Sequence, residues 1–431
     1  MHQRSMSTLR TLPLFGRIFI LCILFPGITL LQSTDVLASY ASIRYSDSLL
    51  SKQFPDTLDF TRMTEHFNDY LRQKRLPGIA AVVIQGSSVV FHTTMGYRDL
   101  EKRLPVNDST RFRLASLSKV ITSIAILQLV EKGLLTLDDP VSRYIPAFST
   151  TTVFTTGEQP STSITIRHLL NHTSGLSSGL EQDEIGQLYR ERLSGEIATL
   201  EHLVTVLAEL PLCAEPGTKF TYSHSTDVLA RVVEIVSDTS FDLYLSKHIF
   251  APLGMTNTSF TVPEEEMHNL ARLYIPDTSG ALIPMWRPDE GSYHPFPRGN
   301  SGLVSTISDF TIFCQMLLNG GSWNGTSILS PLSLQQMTTN TLPDSALPIT
   351  IGSVPFPGLG FGLGVSVSLA PNLLGKVPGT FGWVGATHTY FFVDPTNQVA
   401  GILFSHMPDM SSAQLLFEYN NLLYSCLPGK L

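Results

Sequence analysis

The sequence predicts an α+β fold: one core sheet, with a mainly helical region inserted at about residues 134–292. Three observations carry this expectation. Strand-like apolar runs occur near both ends of the chain, and segments with helical periodicity fill the middle. The length of 431 residues and a hydrophobic content of 43% allow a sizeable core, as one large domain or two closely packed lobes. Charged residues make up only 15%, the composition of a folded chain.

Residues 1–38 read as a targeting segment. His2, Arg4, Arg10 and Arg17 precede an apolar stretch at 18–31, broken by Pro26-Gly27, and Val36-Leu37-Ala38 fits a small-residue cleavage site that leaves Ser39 first. The apolar stretch is short for a membrane span. An uncleaved anchor is the competing reading, and either way an exported, secreted or extracytoplasmic chain is expected, touching a membrane only through this segment.

Residues 61–76 then look helical, with Met63, Phe67, Tyr70 and Leu71 on one face. Residues 78–84 and 88–92 read as strands around a hairpin-like Gln85-Gly86-Ser87. From Ser116 to Val130 runs a segment apolar nearly all round, which predicts a buried helix closed by Glu131-Lys132-Gly133. Short helices are expected at 165–170, 200–210, 227–236 and 241–249, and residues 261–302 form a loop-rich stretch suited to the rim of a site. Further helices are expected at 309–318 and 333–337, strands at 361–367, 389–393 and 400–404, and a closing helix at 411–425.

Chemistry gathers at two places. Ser116-Leu117-Ser118-Lys119 puts a serine at the first turn of the buried helix, where free N–H groups and the positive dipole end favour a developing anion. Lys119 lies on the same face one turn on, which gives a poor nucleophile a base or an electrostatic partner. S-x-x-K alone recurs by chance. Its weight comes from the buried helix, where a lone lysine is costly without a partner or a task. The second place is Pro216-Gly217-Thr218-Lys219-Phe220-Thr221-Tyr222-Ser223-His224-Ser225, a turn and an extended run with Tyr222 just before a helix. Alone, Tyr222 reads as a packing aromatic; downstream of a Ser-Lys pair it reads as a base, since a phenol works as one beside a cation.

Ser116-x-x-Lys119 followed about a hundred residues later by Tyr222-Ser223 resembles the serine β-lactamase and penicillin-binding-protein superfamily. The details resemble its class C β-lactamase-related branch, which also holds esterases and D-stereospecific peptidases. Residues 165–176, 216–223, 249–255, 299–306 and Val393-Asp394-Pro395 are similar to that branch, in the right order, over roughly residues 60–422. The resemblance implies a β-lactamase/transpeptidase-like α+β fold, its antiparallel sheet built from N- and C-terminal segments and flanked by helices. It also implies an acyl-enzyme on Ser116, with Lys119 and Tyr222 sharing the proton transfers and Tyr222 activating the deacylating water. The backbone N–H of Ser116 and that of Ala386, from a strand near it, would form the oxyanion hole, and His224, Trp383 and Gly385 would contact substrate. Losing one oxyanion donor typically costs ~3 kcal/mol in the barrier.

Two departures from the lactamase pattern stand out. His224 occupies the place of the asparagine of Tyr-x-Asn, and Trp383-Val384-Gly385 replaces Lys-Thr-Gly, as in the branch's esterases. An ammonium there would hold a substrate carboxylate, whereas an indole offers an apolar face and one N–H. The expected activity is therefore a carboxylesterase on small acyl esters. The alternative is a β-lactamase or D-amino-acid peptidase with Arg298 as the substitute cation, and a minor one is a catalytically inactive binding or sensor protein. His224 and His388 are alternative bases whose plainer reading is a hydrogen-bonded structural role. His168 and His172 carry less weight, and Asp138-Asp139 before Pro140 reads as a cap rather than a metal pair.

A formal charge of -8 with no basic patch argues against nucleic acid, and no cofactor or metal is required. The partner is a small-molecule ester or amide, and a monomer is assumed. Beyond Cys22, Cys213, Cys314 and Cys426 lack C-x-x-C spacing, so free thiols are the default.

Overall fold

The continuous apolar run after Pro77 forms β1 (Gly78–Gln85), buried along its whole length except the last residue. A strand of this kind needs cover on both faces, and the chain supplies it from its two ends. The computed structural model describes residues 58–285, 294–371, 376–408 and 413–427; the expected targeting segment lies outside them. Ile79, Ala81 and Val83 pack with Met63, Phe67 and Tyr70 of α1 (Thr61–Arg72) and with Leu415, Tyr419 and Leu423 near the C-terminus. Their alternating neighbours Ala80, Val82 and Ile84 face the larger core, which holds α2 (Ser118–Glu131). This is the period-two alternation of a pleated strand.

Strands β2 (Ser88–Asp99) and β3 (Leu104–Pro105) follow β1. The helices α3 (Ser225–Ser237) and α4 (Ile307–Leu318) come next. The C-terminal part then contributes β4 (Leu359–Phe361), β5 (Ser366–Ser368), β6 (Phe381–Gly385), β7 (Thr389–Asp394) and β8 (Val399–Phe404), and α5 (Ala413–Cys426) closes the chain. The sheet has the order β4-β5-β6-β7-β8-β1-β2-β3, every pair antiparallel. The two ends meet at β1 and β8, with Ala81 opposite Leu403. This is the α+β, antiparallel, helix-flanked fold expected from the sequence.

Helix α2 is buried at every residue from Ser118 to Leu129, as its unbroken apolarity predicts. Between α2 and α4 lie α3 and the shorter helices Ile166–Leu170, Glu184–Leu193, Leu200–Glu209 and Phe241–Leu245. The loop-rich stretch contains a two-stranded hairpin, Tyr274–Pro276 with Leu282–Pro284.

Several local expectations are corrected. The second strand runs on to Asp99 through Gly96, whose φ of 74° places it where a Cβ would lie 2.6 Å from Pro77 O. The single strand expected at 361–367 is a hairpin, with Phe361 opposite Ser366. Strand β6 ends beside Ala386, where a strand is expected, and the largely polar helix Glu184–Leu193 is an element the apolar periodicity does not mark. The helix expected to reach Ile249 passes at Ser246 into a wider π turn. Asp138 and Asp139 cap no helix: Asp138 pairs with Arg167, and Asp139 accepts from Thr136 N–H and Tyr144 Oη. Cys213, Cys314 and Cys426 are free thiols. Among the described residues no helix is long and apolar enough to cross a membrane, and no cluster suits a metal ion.

Candidate active site

Ser116 sits half-buried in the tight turn Ala115–Leu117 that leads into α2. Ala115 has φ 47°, a left-handed conformation that side chains with a Cβ avoid, so the turn is strained and must be held by its surroundings. The hairpin after β6 supplies part of the hold. Thr387 Oγ1 donates to Arg113 O at 2.7 Å and Thr389 Oγ1 to Leu114 O at 3.0 Å. From the opposite side, Leu114 N–H donates to Leu303 O at 2.8 Å and Leu303 N–H to Ser118 Oγ at 3.3 Å. Gly385 is required by this contact, because a Cβ there would lie 2.5 Å from Leu114 O and 2.1 Å from Thr389 Oγ1. Ala386 follows in an exposed turn. Among the described residues the N–H groups of Ser116 and Ala386 make no hydrogen bond, so both donors are available to a ligand.

Lys119 is buried at 4% exposure. Its ammonium donates to Ser116 Oγ at 3.3 Å and to Asn300 O at 2.8 Å, and lies 4.7 Å from the centre of the Tyr222 ring. A hydroxyl, a carbonyl and a π face thus stand in for a carboxylate. Tyr222 packs against His172 (ring centres 5.0 Å) and Trp383 (5.5 Å), and its oxygen accepts from Trp383 Nε1 at 3.4 Å. Trp383 is 5% exposed and meets Phe361 edge-on at 5.2 Å. The indole therefore walls the site and turns its one donor toward Tyr222.

His224, at the start of α3, belongs to a second cluster. Its Nδ1 lies 2.9 Å from Asp227 Oδ2, 2.9 Å from the Asn300 side-chain amide and 3.1 Å from Arg298 Nη2. Arg298 Nη2 donates to Asp227 Oδ2 at 2.7 Å, and Asn300 N–H donates to Asp227 Oδ1 at 3.1 Å. Asp227 has no exposed surface. Burial alone would push its carboxyl up, but the Arg298 guanidinium and the hydrogen bond from His224 outweigh this and hold it well below the carboxylate range. Burial pushes His224 below an ordinary histidine, Asp227 pulls it back, and Arg298 and Lys119 push it down again. His172, fully buried, is lowered by burial and then by Lys119 and His224.

The structure thus brings Ser116, Lys119, Tyr222 and Trp383 together and places Gly385 against the nucleophile turn. Arg298, read from sequence as a candidate for a substrate carboxylate, is committed to Asp227. His388 donates Nδ1–H to Met407 O, and His168 completes a capping box with Thr165. Sequence reasoning missed Asp227 and the double role of Asn300. A lone acid before the apolar Val228-Leu229-Ala230 was the signal available, since such a group needs a buried cation.

A serine on a strained turn, a buried lysine touching it, and a sheet hairpin carrying N–H donors define a serine hydrolase of the acyl-transfer type. The chain belongs to the Beta-lactamase family, whose model matches residues 61–423. It is 33% identical over 352 residues to Protein Rv1367c of Mycobacterium tuberculosis, covering 78% of this chain and 87% of that protein. It is 30% identical over 350 residues to Esterase EstB of Burkholderia gladioli, covering 77% and 86%. Among solved structures, EstCE1, described as a hydrolase with promiscuous acyltransferase activity, superposes with a TM-score of 0.73 at 28% identity, covering 84% of this chain and 97% of that one.

Proposed function

We propose that this serine hydrolase is an exported carboxylesterase that acts on small acyl esters through an acyl-enzyme on Ser116. The observation that carries the reading is the Lys119 contact to Ser116 Oγ beside a wall of neutral aromatic side chains. Ser116 Oγ attacks the ester carbonyl as its proton passes to the deprotonated member of the Lys119–Tyr222 pair. The oxyanion is received by the Ser116 and Ala386 N–H groups, and the proton goes to the leaving alkoxide as the C–O bond breaks. Water then releases the acid and frees Ser116. Trp383 offers no charge to a substrate carboxylate, and Arg298 is neutralised by Asp227, so a neutral ester fits better than a β-lactam or a D-peptide. The likeness to EstB and EstCE1 supports the ester reading, and the basic, apolar pattern of residues 1–38 supports export.

The test is hydrolysis of p-nitrophenyl acetate and butyrate with nitrocefin in parallel, each beside Ser116→Ala. Serine-dependent ester turnover with silent nitrocefin is expected. Ester turnover unchanged in Ser116→Ala would remove Ser116 as nucleophile, and nitrocefin turnover would move the substrate to β-lactams.

A further inference from the structure

We propose that Thr122 of α2 and Asp227 of α3 are positioning residues for acylation: together they clamp the peptide that links Gly299 to Asn300, and so set where Lys119 stands against Ser116. The proposal rests on the Ser116 acyl-enzyme reading above and adds what orients the lysine of its first step. Of the groups around the Lys119 ammonium, Asn300 O is the nearer acceptor, at 2.8 Å. Ser116 Oγ lies at 3.3 Å, a long hydrogen bond, and the Tyr222 ring centre at 4.7 Å. The carbonyl therefore decides the place of the ammonium, and whatever holds the carbonyl decides the contact to Ser116.

That carbonyl belongs to the loop before α4, and the peptide unit preceding it is bonded at both ends. Gly299 O accepts from Thr122 Oγ1 at 2.7 Å, and Asn300 N–H donates to Asp227 Oδ1 at 3.1 Å. Because a peptide unit is planar, these two bonds fix one rigid plate between α2 and α3. Thr122 stands one turn beyond Lys119 on the same helix, so the lysine and the clamp on its acceptor share one frame. The plate lies hard against α3, where a Cβ on Gly299 would come within 1.9 Å of Thr226 O. The Asn300 side chain adds two ties: its nitrogen meets His224 Nδ1 at 2.9 Å, and its oxygen accepts from Ser301 Oγ at 2.6 Å.

Both residues do more than their own helices ask of them. A carboxylate in the first turn of a helix can serve that helix's free N–H groups. Asp227 instead turns Oδ1 to Asn300 N–H and Arg298 Nε, at 3.1 and 3.4 Å, and Oδ2 to Arg298 Nη2 at 2.7 Å, beside His224. A threonine inside a helix commonly bonds back to the carbonyl four residues earlier. Thr122 does so to Ser118 O at 3.0 Å, but shares its one proton with the shorter contact to Gly299 O. Thr122 is 1% exposed and Asp227 not at all, so neither is open to an ester. They act through Asn300 O: once the plate loosens, the ammonium follows the carbonyl, and the Ser116 proton loses its aligned path to the Lys119–Tyr222 pair.

The experiment is single-turnover release of p-nitrophenol from p-nitrophenyl acetate with enzyme in excess, which reads acylation alone. A fluorophosphonate labelled to completion and weighed by intact mass counts the competent chains. The variants are Thr122→Val, Thr122→Ser, Asp227→Asn, the double variant Thr122→Val/Asp227→Asn, and Ser116→Ala. The acylation rate constant should fall about tenfold in Thr122→Val and in Asp227→Asn, less than the hundredfold that a misplacement of roughly 1 Å can cost. The half-saturating enzyme concentration and the labelled fraction should not change. Thr122→Ser, which keeps the hydroxyl, should match wild type, and the double variant should lose less than the product of the single losses, because both bonds hold one plate. An unchanged rate constant in both single variants overturns the proposal. So does a lower labelled fraction with an unchanged rate constant, which marks a purely structural role, or a change confined to half-saturation, which marks a substrate contact. Thr122→Ser as slow as Thr122→Val, or a double loss equal to the product, overturns it as well. Release at the wild-type rate in Ser116→Ala instead removes the acyl-enzyme reading itself, a distinct result.

Discussion

The two sides of the candidate site are held by different forces. On the sheet side, the turn carrying Ser116 is held by shape: a glycine that leaves no room for a Cβ, and two threonine hydroxyls bonded to Arg113 O and Leu114 O. On the helical side, His224 is held by charge, through a fully buried Asp227 locked to Arg298. Neutral hydrogen bonds contribute about 1 kcal/mol each, whereas breaking a buried ion pair leaves an unpaired charge and costs several times more. Damage to the sheet side should therefore appear mainly in rate, and damage to the helical side mainly in stability.

The sharpest way to break this contrast is Asp227→Ala. It strands the Arg298 guanidinium in the interior and should lower unfolding stability by about 3–5 kcal/mol, read by urea denaturation. Combining it with Arg298→Met should recover part of the loss, because the stranded charge goes with it. A single variant as stable as wild type would mean that water reaches the pair. Next in size is Gly385→Ala. Its Cβ would displace Leu114 O and with it the Ser116 turn, so ester kcat/KM should fall about hundredfold with the circular-dichroism spectrum unchanged. Retained activity would show that the turn has room to shift.

Acid should also act on the helical side first. Burial depresses His172 and His224, and Lys119 lowers both further. A histidine whose folded value lies below the unfolded 6.5 contributes stability that is full above pH 6.5. That stability is lost as pH falls, because the unfolded chain takes the proton first. Each such group should steepen the loss by up to about 1.4 kcal/mol per pH unit. Urea midpoints between pH 7.5 and 5 should therefore decline, and less steeply in His224→Asn. A flat profile would mean that the rings protonate without unfolding.

The same contrast governs what could be read from the sequence. Ser116 and Lys119 are three residues apart on one helix, so helical geometry alone brings them together, and the buried α2 followed from its unbroken apolar run. The strands of the two chain ends were legible for the same local reason. Asp227 and Arg298 are 71 residues apart, and Asn300 serves Lys119 through a backbone carbonyl, which no side-chain pattern records. In strand β6, Gly382 and Gly385 weaken local strand propensity. Their value appears only when the neighbouring backbone is seen: a Cβ on Gly382 would lie 2.2 Å from Phe391 O.

The smallest expected effect tests whether the aromatic wall is passive. Trp383→Phe keeps a ring against Phe361 and Tyr222 but removes the indole N–H that faces the Tyr222 oxygen at 3.4 Å. So long a hydrogen bond is weak, and its loss should slow ester turnover by less than about tenfold, the equivalent of roughly 1.4 kcal/mol. The change should fall on kcat for acylation rather than on KM, because the N–H meets a proton-transfer group and not the substrate. A change confined to KM would instead make Trp383 a substrate contact, as the sequence suggested, and would separate it from the machinery around Tyr222.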